Sequence, residues 1–423
     1  MATFFAKLHL VFTDKTLRLR ILFVLLAFIV FRFLASVPVP GVDPVKLSQF
    51  FANNQLLGLL NIFSGGGLSN LSIVMLGVGP YITASIIMQL LTMVFPKFKA
   101  LYMEEGEAGR KRFSQYSRML TFPLALIQGF AFLILLDRQG ILSHLTRFDF
   151  AVNLSVVVAG SLLLMWIGEL VTEFGIGNGV SLIIFGGIVA GLPATVSQLI
   201  FSYDPSKIPV YLSFVLLALV ITAGVVAVTE AERPIPVTYA KRVRGTKVYG
   251  GVSTYLPLRM NQAGVIPIIF ALSFLLFPQM FFNILSYVGN DTVNNIGKFF
   301  TTLIANQWFY GISYFFLVFL FTYFYTAVTF DPENISENLQ RGGAFIPGVR
   351  PGHPTALHIS RILLRITLVG ALFLGVIAVL PLIMQGLTEI RTLAIGGTSL
   401  LIAVSVVLDL IRKIDAQVSM REY

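Results

Sequence analysis

Cysteine is absent from all 423 residues, which excludes disulfides, thiol catalysis and cysteine-held metals. Charge is scarce as well. Asp, Glu, Lys and Arg make up 12% of the chain, about half the roughly 25% usual in soluble domains. With 56% hydrophobic residues, a single soluble core cannot hide the apolar surface, whereas a chain of many spans uses lipid as its solvent. Histidine is limited to His9, His144, His353 and His358. The last two share a loop, but no carboxylate or third ligand accompanies them, so neither a metal nor a cofactor is expected. Gly175-Ile176-Gly177-Asn178-Gly179 lacks the spacing of a phosphate loop and follows no strand, so it reads as a tight turn. No cleavable leader is visible. The first apolar run starts near Ile21 after a polar, basic stretch and lacks a small-residue cleavage site, so it is expected to span.

What is present is a series of long apolar runs. A span needs about 20 mostly apolar residues, and ten stretches qualify. They are 21–37, 73–95, 119–136, 152–170 and 180–199, then 210–228, 263–285, 308–328, 366–384 and 393–410. Ten spans put both chain ends on one side. That side carries 23 of the 30 basic residues, in 1–20, 97–118, 229–260, 329–365 and the tail. The opposite loops carry six, and Arg32 lies inside the first span. The excess of Lys and Arg marks the first side as cytoplasmic. The formal charge of +10 is therefore a topology signal before it is a nucleic-acid signal. The expected organisation is a cytoplasmic segment 1–20, a first half 21–200, a second half 208–411 and a tail 412–423. The second half includes long loops at 229–260 and 329–361.

One apolar stretch, 57–71, is too short to span and is broken by Ser64-Gly65-Gly66-Gly67. Consecutive glycines disfavour a helix. Such backbone is either an outer loop or a re-entrant element facing a water-filled cavity. A short repeat also stands out: Gly77-Val78-Gly79-Pro80-Tyr81-Ile82 in span 2 and Gly264-Val265-Ile266-Pro267-Ile268-Ile269 in span 7. Spans five apart run in opposite directions, so the repeat suggests two inverted halves of five. Proline there marks either a helix start or a kink that loosens the helix where movement is needed.

Ion-coupled transporters keep ionisable groups near the bilayer midplane, where each costs at least ~2.5–3.5 kcal/mol. These spans hold almost none: Glu169 and Asp409 sit near cytoplasmic ends, and Arg32 near an outer end, where it can snorkel. That weighs against a small-solute transporter. The two long basic loops are rich in Arg, Gly and Pro. Arg233, Lys241, Arg242, Arg244 and Lys247 crowd the first, and Arg341 and Arg350 frame the second. They suit either a headgroup patch or docking of an acidic or RNA-containing partner.

Several stretches together resemble the SecY family, the central subunits of bacterial protein-translocation channels. They are Val37-Pro38-Val39-Pro40-Gly41, Asn61-Ile62-Phe63-Ser64-Gly65-Gly66, Pro80-Tyr81-Ile82-Thr83-Ala84-Ser85-Ile86-Ile87 and Gly175-Ile176-Gly177-Asn178-Gly179. Asn261-Gln262-Ala263-Gly264-Val265-Ile266-Pro267, Pro347-Gly348-Val349-Arg350-Pro351-Gly352 and Gly396-Gly397-Thr398-Ser399-Leu400-Leu401-Ile402 complete the set. The resemblance implies an all-α polytopic membrane protein with ten transmembrane helices around an hourglass pore, not an enzyme. It implies a constriction ring of Ile82, Ile86, Ile184, Ile269 and Ile402. The plug would comprise Asn61, Ile62, Phe63, Ser64, Gly65, Gly66, Gly67, Leu68 and Ser69. A lateral gate between spans 2 and 7 would include Pro80, Ile87, Gln89, Gln128, Asn261, Val265, Pro267 and Phe277. Docking would use Arg242, Arg244, Lys247, Arg341 and Arg350. Implied partners are the small subunits SecE and SecG, the SecA motor, the ribosome, signal sequences with their preproteins, and the lipid of a bacterial plasma membrane. One departure is that Gly245-Thr246 splits the basic residues Arg244 and Lys247, which relatives carry as an adjacent pair, so that contact is expected to be altered.

Overall fold

The computed structural model describes residues 14–41, 47, 66–68, 70–138, 140–142, 146–201, 208–239, 242–244, 247–249, 253–285, 297, 299, 302–303, 306–388 and 391–419. Each expected span falls on a long helix. They are α1 (Lys15–Ser36), α2 (Gly79–Val94), α4 (Gly106–Arg138), α5 (Arg147–Phe174), α6 (Gly179–Phe201), α7 (Ile208–Glu230), α8 (Ile266–Leu285), α9 (Gln307–Thr329), α11 (His353–Thr388) and α12 (Arg391–Ser419). Two short helices, α3 (Pro96–Met103) and α10 (Pro332–Arg341), lie between them. Among the described residues, five helices are each long and apolar enough to cross a membrane, and α2 with α3 forms a sixth candidate bent by 110°. Leu22, Leu25 and Ile29 on α1 and Leu212, Leu216 and Leu219 on α7 are exposed. In water such stripes would aggregate; in a bilayer they meet acyl chains.

Local chemistry sets the helix starts. Asp14 accepts from the Thr16 amide at 2.8 Å. Thr146 and Asp149 form a reciprocal capping box at α5, and Asn306 and Asp331 cap α9 and α10. These side chains satisfy amides that a helix N-terminus leaves without partners.

The Gly-Val-x-Pro repeat is a shared helix start. Gly77 and Gly264 both adopt left-handed backbone, with φ of 57° and 62°. Each helix begins two residues later, at Gly79 and Ile266, with proline second. Proline costs nothing there, because the first amides of a helix have no intrahelical acceptor. The kink reading therefore fails: neither proline loosens a helix interior. Span 2 is also shorter than its apolar run, since 73–78 is a chain of tight turns closed by Met75 N to Ser72 O and Gly77 N to Val74 O.

The halves meet along two seams. α8 packs on α2 and α4, with α9 touching α2, and α6 packs on α12. One apolar cluster runs through both, from Val24 and Phe31 through Ile184 and Phe270 to Tyr314 and Val406. A second cluster of Val39, Leu68, Leu71, Met75, Phe132, Leu136 and Leu142 closes the end of the first half away from the basic loops.

The basic face is more ordered than a loop reading implies. Residues 97–118 form α3 and the first turns of α4, and α11 begins at His353, 13 residues before its apolar run. At about 1.5 Å per residue, 36-residue α11 is roughly 54 Å long, well beyond a ~30 Å hydrocarbon core. Segment 229–260 holds strands β1 (Glu232–Tyr239), β2 (Arg242–Arg244), β3 (Lys247–Tyr249) and β4 (Ser253–Arg259). Strand β5 (Ala344–Phe345) comes from the other loop and completes a sheet of order β4-β1-β5. Ile235, Val237, Leu258, Ala344, Ile346 and Ile359 form its core. The two loops are thus one folded unit.

Candidate functional site

Four helices, two from each half, contribute isoleucines to one apolar cluster. Ile82 and Ile86 come from α2, Ile184 from α6, Ile269 from α8 and Ile402 from α12. All are 6% exposed or less and belong to the same apolar cluster. The group straddles the interface between the halves. Branched aliphatics there offer a passing chain no hydrogen bond, and a dry apolar neck excludes ions by dewetting.

On the basic side of this neck lie two cavities of about 300 and 400 Å³. They share Asn178, Ser181, Ile266, Ile269 and Tyr325, so they form one vestibule. Ile82, Ile184, Ile269 and Ile402 border it, and Ile86 does not. The walls mix apolar side chains with polar ones, the latter including Ser85, Gln89, Asn261 and Ser405.

Every basic side chain lining the vestibule is ion-paired. Arg118 holds Glu169 at 2.6 Å, Arg412 holds Glu230 at 2.7 Å, Lys413 holds Asp409 at 2.9 Å and Arg259 holds Glu232 at 3.1 Å. Pairing keeps these cations from trapping an acidic segment. Sequence reasoning missed these pairs. Only Asp409 and Lys413, four apart on one helix, were legible from spacing.

The gate positions divide. Pro80 and Pro267 are buried at matching helix starts, Ile87 is half-buried, and Val265 packs partly buried against the core. Gln128 Nε2 donates to Thr83 Oγ1 at 3.4 Å, Gln89 Nε2 to Ser85 Oγ at 3.2 Å, and Asn261 Nδ2 to Gly264 O at 3.3 Å. Each of these bonds stays within its own half, and among the described residues α2 and α8 meet by packing. The Phe277 side chain lies outside the described residues.

Of the plug expectation, Gly66, Gly67 and Leu68 are described; Asn61, Ile62, Phe63, Ser64, Gly65 and Ser69 lie outside the described residues. The described part is a turn. Ser72 N donates to Gly67 O at 2.8 Å and Leu71 N to Leu68 O at 3.0 Å. Leu68 is 3% exposed among the apolar residues that close the far end of the first half. The Arg32 guanidinium lies 3.6 Å from where a Gly66 Cβ would sit, so it reaches this turn and not only the membrane edge.

At the docking positions, β2 and β3 form an antiparallel hairpin in which Arg244 and Lys247 are register partners. The Gly245-Thr246 insertion therefore does not separate the two positions, because the hairpin sets them opposite each other. Arg341 is taken up by Glu337 at 3.0 Å. Arg350 is exposed in the turn before α11, makes no ion pair among the described residues, and its carbonyl accepts from Thr355 Oγ1 at 2.8 Å.

Fold and site together define a helical membrane channel with a vestibule on its basic side. The SecY family model matches residues 72–411. The chain is 41% identical to the protein translocase subunit SecY of Thermotoga maritima, over 97% of this chain and 95% of that one. It is 43% identical to the protein translocase subunit SecY of Thermus thermophilus, over 96% and 94%. A solved protein-conducting channel shares the fold with a TM-score of 0.66 at 17% identity, covering 96% of this chain and 93% of that one. The chain belongs to the SecY family.

Proposed function

We propose that this chain conducts unfolded polypeptide across a membrane through its isoleucine neck and releases apolar segments sideways into lipid between α2 and α8. The observation that carries this reading is that Ile82, Ile86, Ile184, Ile269 and Ile402, from both halves, share one buried apolar cluster and that all but Ile86 border the vestibule. A channel for any sequence must bind none of them, and aliphatic side chains meet that need. An apolar segment leaving through the seam gains ~0.8 kcal/mol per buried CH₂. Residues 57–71 act as the plug on the far side, and the units 21–200 and 208–411 rock against each other.

The basic face is cytoplasmic, in a bacterial plasma membrane, with both termini on that side. The chain itself performs no chemistry and draws its drive from a partner, the SecA motor or the ribosome. SecE and SecG cover part of the exposed apolar surface. The platform of β1–β5 and α10 receives the driving partner, with Arg242, Arg244, Lys247 and Arg350 meeting acidic or phosphate groups. Since Arg350 is exposed and makes no ion pair among the described residues, Arg350→Glu is expected to lower motor-driven translocation at least tenfold. Membrane insertion should be unchanged. Normal preprotein-stimulated ATP hydrolysis by the motor in that variant would remove the assignment.

The function is tested by reconstituting the purified complex in liposomes with the motor, ATP and a preprotein carrying a signal. Protease-protected preprotein inside the vesicles supports the reading. Its absence, with the complex shown to be inserted and the motor active, overturns it.

A further inference from the structure

The cations that line the vestibule, Arg118, Arg259, Arg412 and Lys413, are each matched by a carboxylate. The carboxylates that line it are Glu169, Glu173 and Asp409. Glu169 and Asp409 are taken up by Arg118 and Lys413. Glu173 is exposed and makes no ion pair among the described residues. In a chain of formal charge +10, the described wall of the vestibule is thus left with an unmatched negative charge.

The place of Glu173 on α5 sharpens this. Helix α5 obeys its dipole at the start, where Asp149 sits in the first turn, and breaks the rule at the end, where the last turn holds no basic residue. Glu173 is the residue before Phe174, the last of the helix. The carbonyls of a helix C-terminus together act as about half a negative charge, which favours a cation there and disfavours a carboxylate. Local conflicts of this kind collect at functional sites. A cation arriving at Glu173 relieves the conflict, and no neighbouring side chain among the described residues does so.

The same cavity reaches both sides of the seam. Ser85 and Gln89 come from α2, and Ile266, Ile269 and Phe270 from α8. A signal carries basic residues directly ahead of its apolar run. With the apolar run between α2 and α8, its basic head lies in this cavity. We infer that Glu173 is a cation subsite for the head of an entering signal. It takes a Lys or Arg side chain or a free amino terminus, and it holds that end on the basic side while the apolar run turns into the seam. The inference rests on the lateral-path reading above.

The test uses the full channel complex in liposomes with the motor and ATP. Otherwise identical preproteins carry lysines, neutral residues or glutamates ahead of the same apolar run. Glu173→Gln is expected to lower translocation of the lysine form about two- to fivefold, the range of an exposed ion pair, and to leave the neutral form unchanged. Glu173→Lys should slow the lysine form further and raise the glutamate form above its rate in the parent. High salt should flatten these differences. Glu107→Gln, an exposed carboxylate on α4 that lines neither cavity, should change none of them. An equal loss for all three preproteins overturns the inference, because a structural defect or a motor contact does not read the head. So does an unaltered preference in Glu173→Lys. If the parent channel protects preprotein and residue 173 leaves the preference untouched, only this inference fails. If the parent channel protects none, the channel reading fails instead.

Discussion

Replacing Ile86 and Ile269 together with glycine is expected to turn a sealed resting complex into one with steady ion conductance. Both side chains are 5–6% exposed and sit in the cluster shared by the two halves. They come from α2 and α8, so the double change thins the neck from both sides of the seam at once. A constriction stays dry only while it is narrow and apolar. Removing two branched side chains widens it and exposes backbone carbonyls and amides that hold water. The planar-bilayer conductance of the variant should be clearly above that of the parent. Ile86→Leu with Ile269→Leu conserves apolar volume and should keep the seal. Glycine also weakens each helix by up to about 1 kcal/mol, so the unfolding midpoint must be recorded beside the conductance. A folded double-glycine variant that passes no ions would show that the seal lies elsewhere, in the plug or at the far end of the first half.

The second large effect is structural. Gly160 on α5 lies so close to the Ile73 carbonyl that a Cβ would collide with that backbone oxygen. Ser161 beside it is fully buried and donates to Gly77 O at 2.9 Å. The two residues fix the turn chain 73–78, and through it the start of α2. Gly160→Val must displace backbone and not merely a flexible side chain, so it should destabilise the protein by about 3 kcal/mol or more. Membrane-inserted complex should fall several-fold. Gly129→Ala on α4 is the contrast: its Cβ would meet the movable Leu154 Cδ1 at 3.1 Å, and its midpoint should stay near the parent. Equal behaviour of the two variants would mean that α5 does not seat α2.

The apolar runs made the ten helices legible, because lipid demands length and hydrophobicity and little else. Their true ends were not legible. α4 and α11 continue well past the bilayer into polar sequence that no hydropathy rule assigns, and α2 begins late because Gly77 turns the chain. The sheet on the basic face was hidden by Pro234 and Pro236, which read as breakers. Ile235 between them and Val237 just after alternate inward at strand spacing, a signal that was available and outweighed by the prolines. The isoleucines of the neck came from motif likeness alone. Nothing in periodicity separates Ile184 from Leu182 and Ile183 beside it, which are equally buried, and only Ile184 and Leu182 of the three border the vestibule. Apart from Asp409–Lys413, the vestibule ion pairs were illegible because the partners, such as Arg118 with Glu169 and Glu230 with Arg412, lie 51 and 182 residues apart.

The sheet β4-β1-β5 carries a mechanical asymmetry. Strands β1 and β4 leave α7 and lead into α8, while β5 sits between α9 and α11. The base of the hairpin is clamped by Met260 N to Ala231 O at 2.9 Å and by the Arg259–Glu232 pair. Every strand of the platform therefore belongs to the second half, and none is anchored in the first. Whatever grips this surface holds the lever of one shell and leaves the other as the free jaw. On the proposed reading, a load applied there would reach α8 and α9 as a torque across the seam, before any part of the passenger had touched the isoleucines.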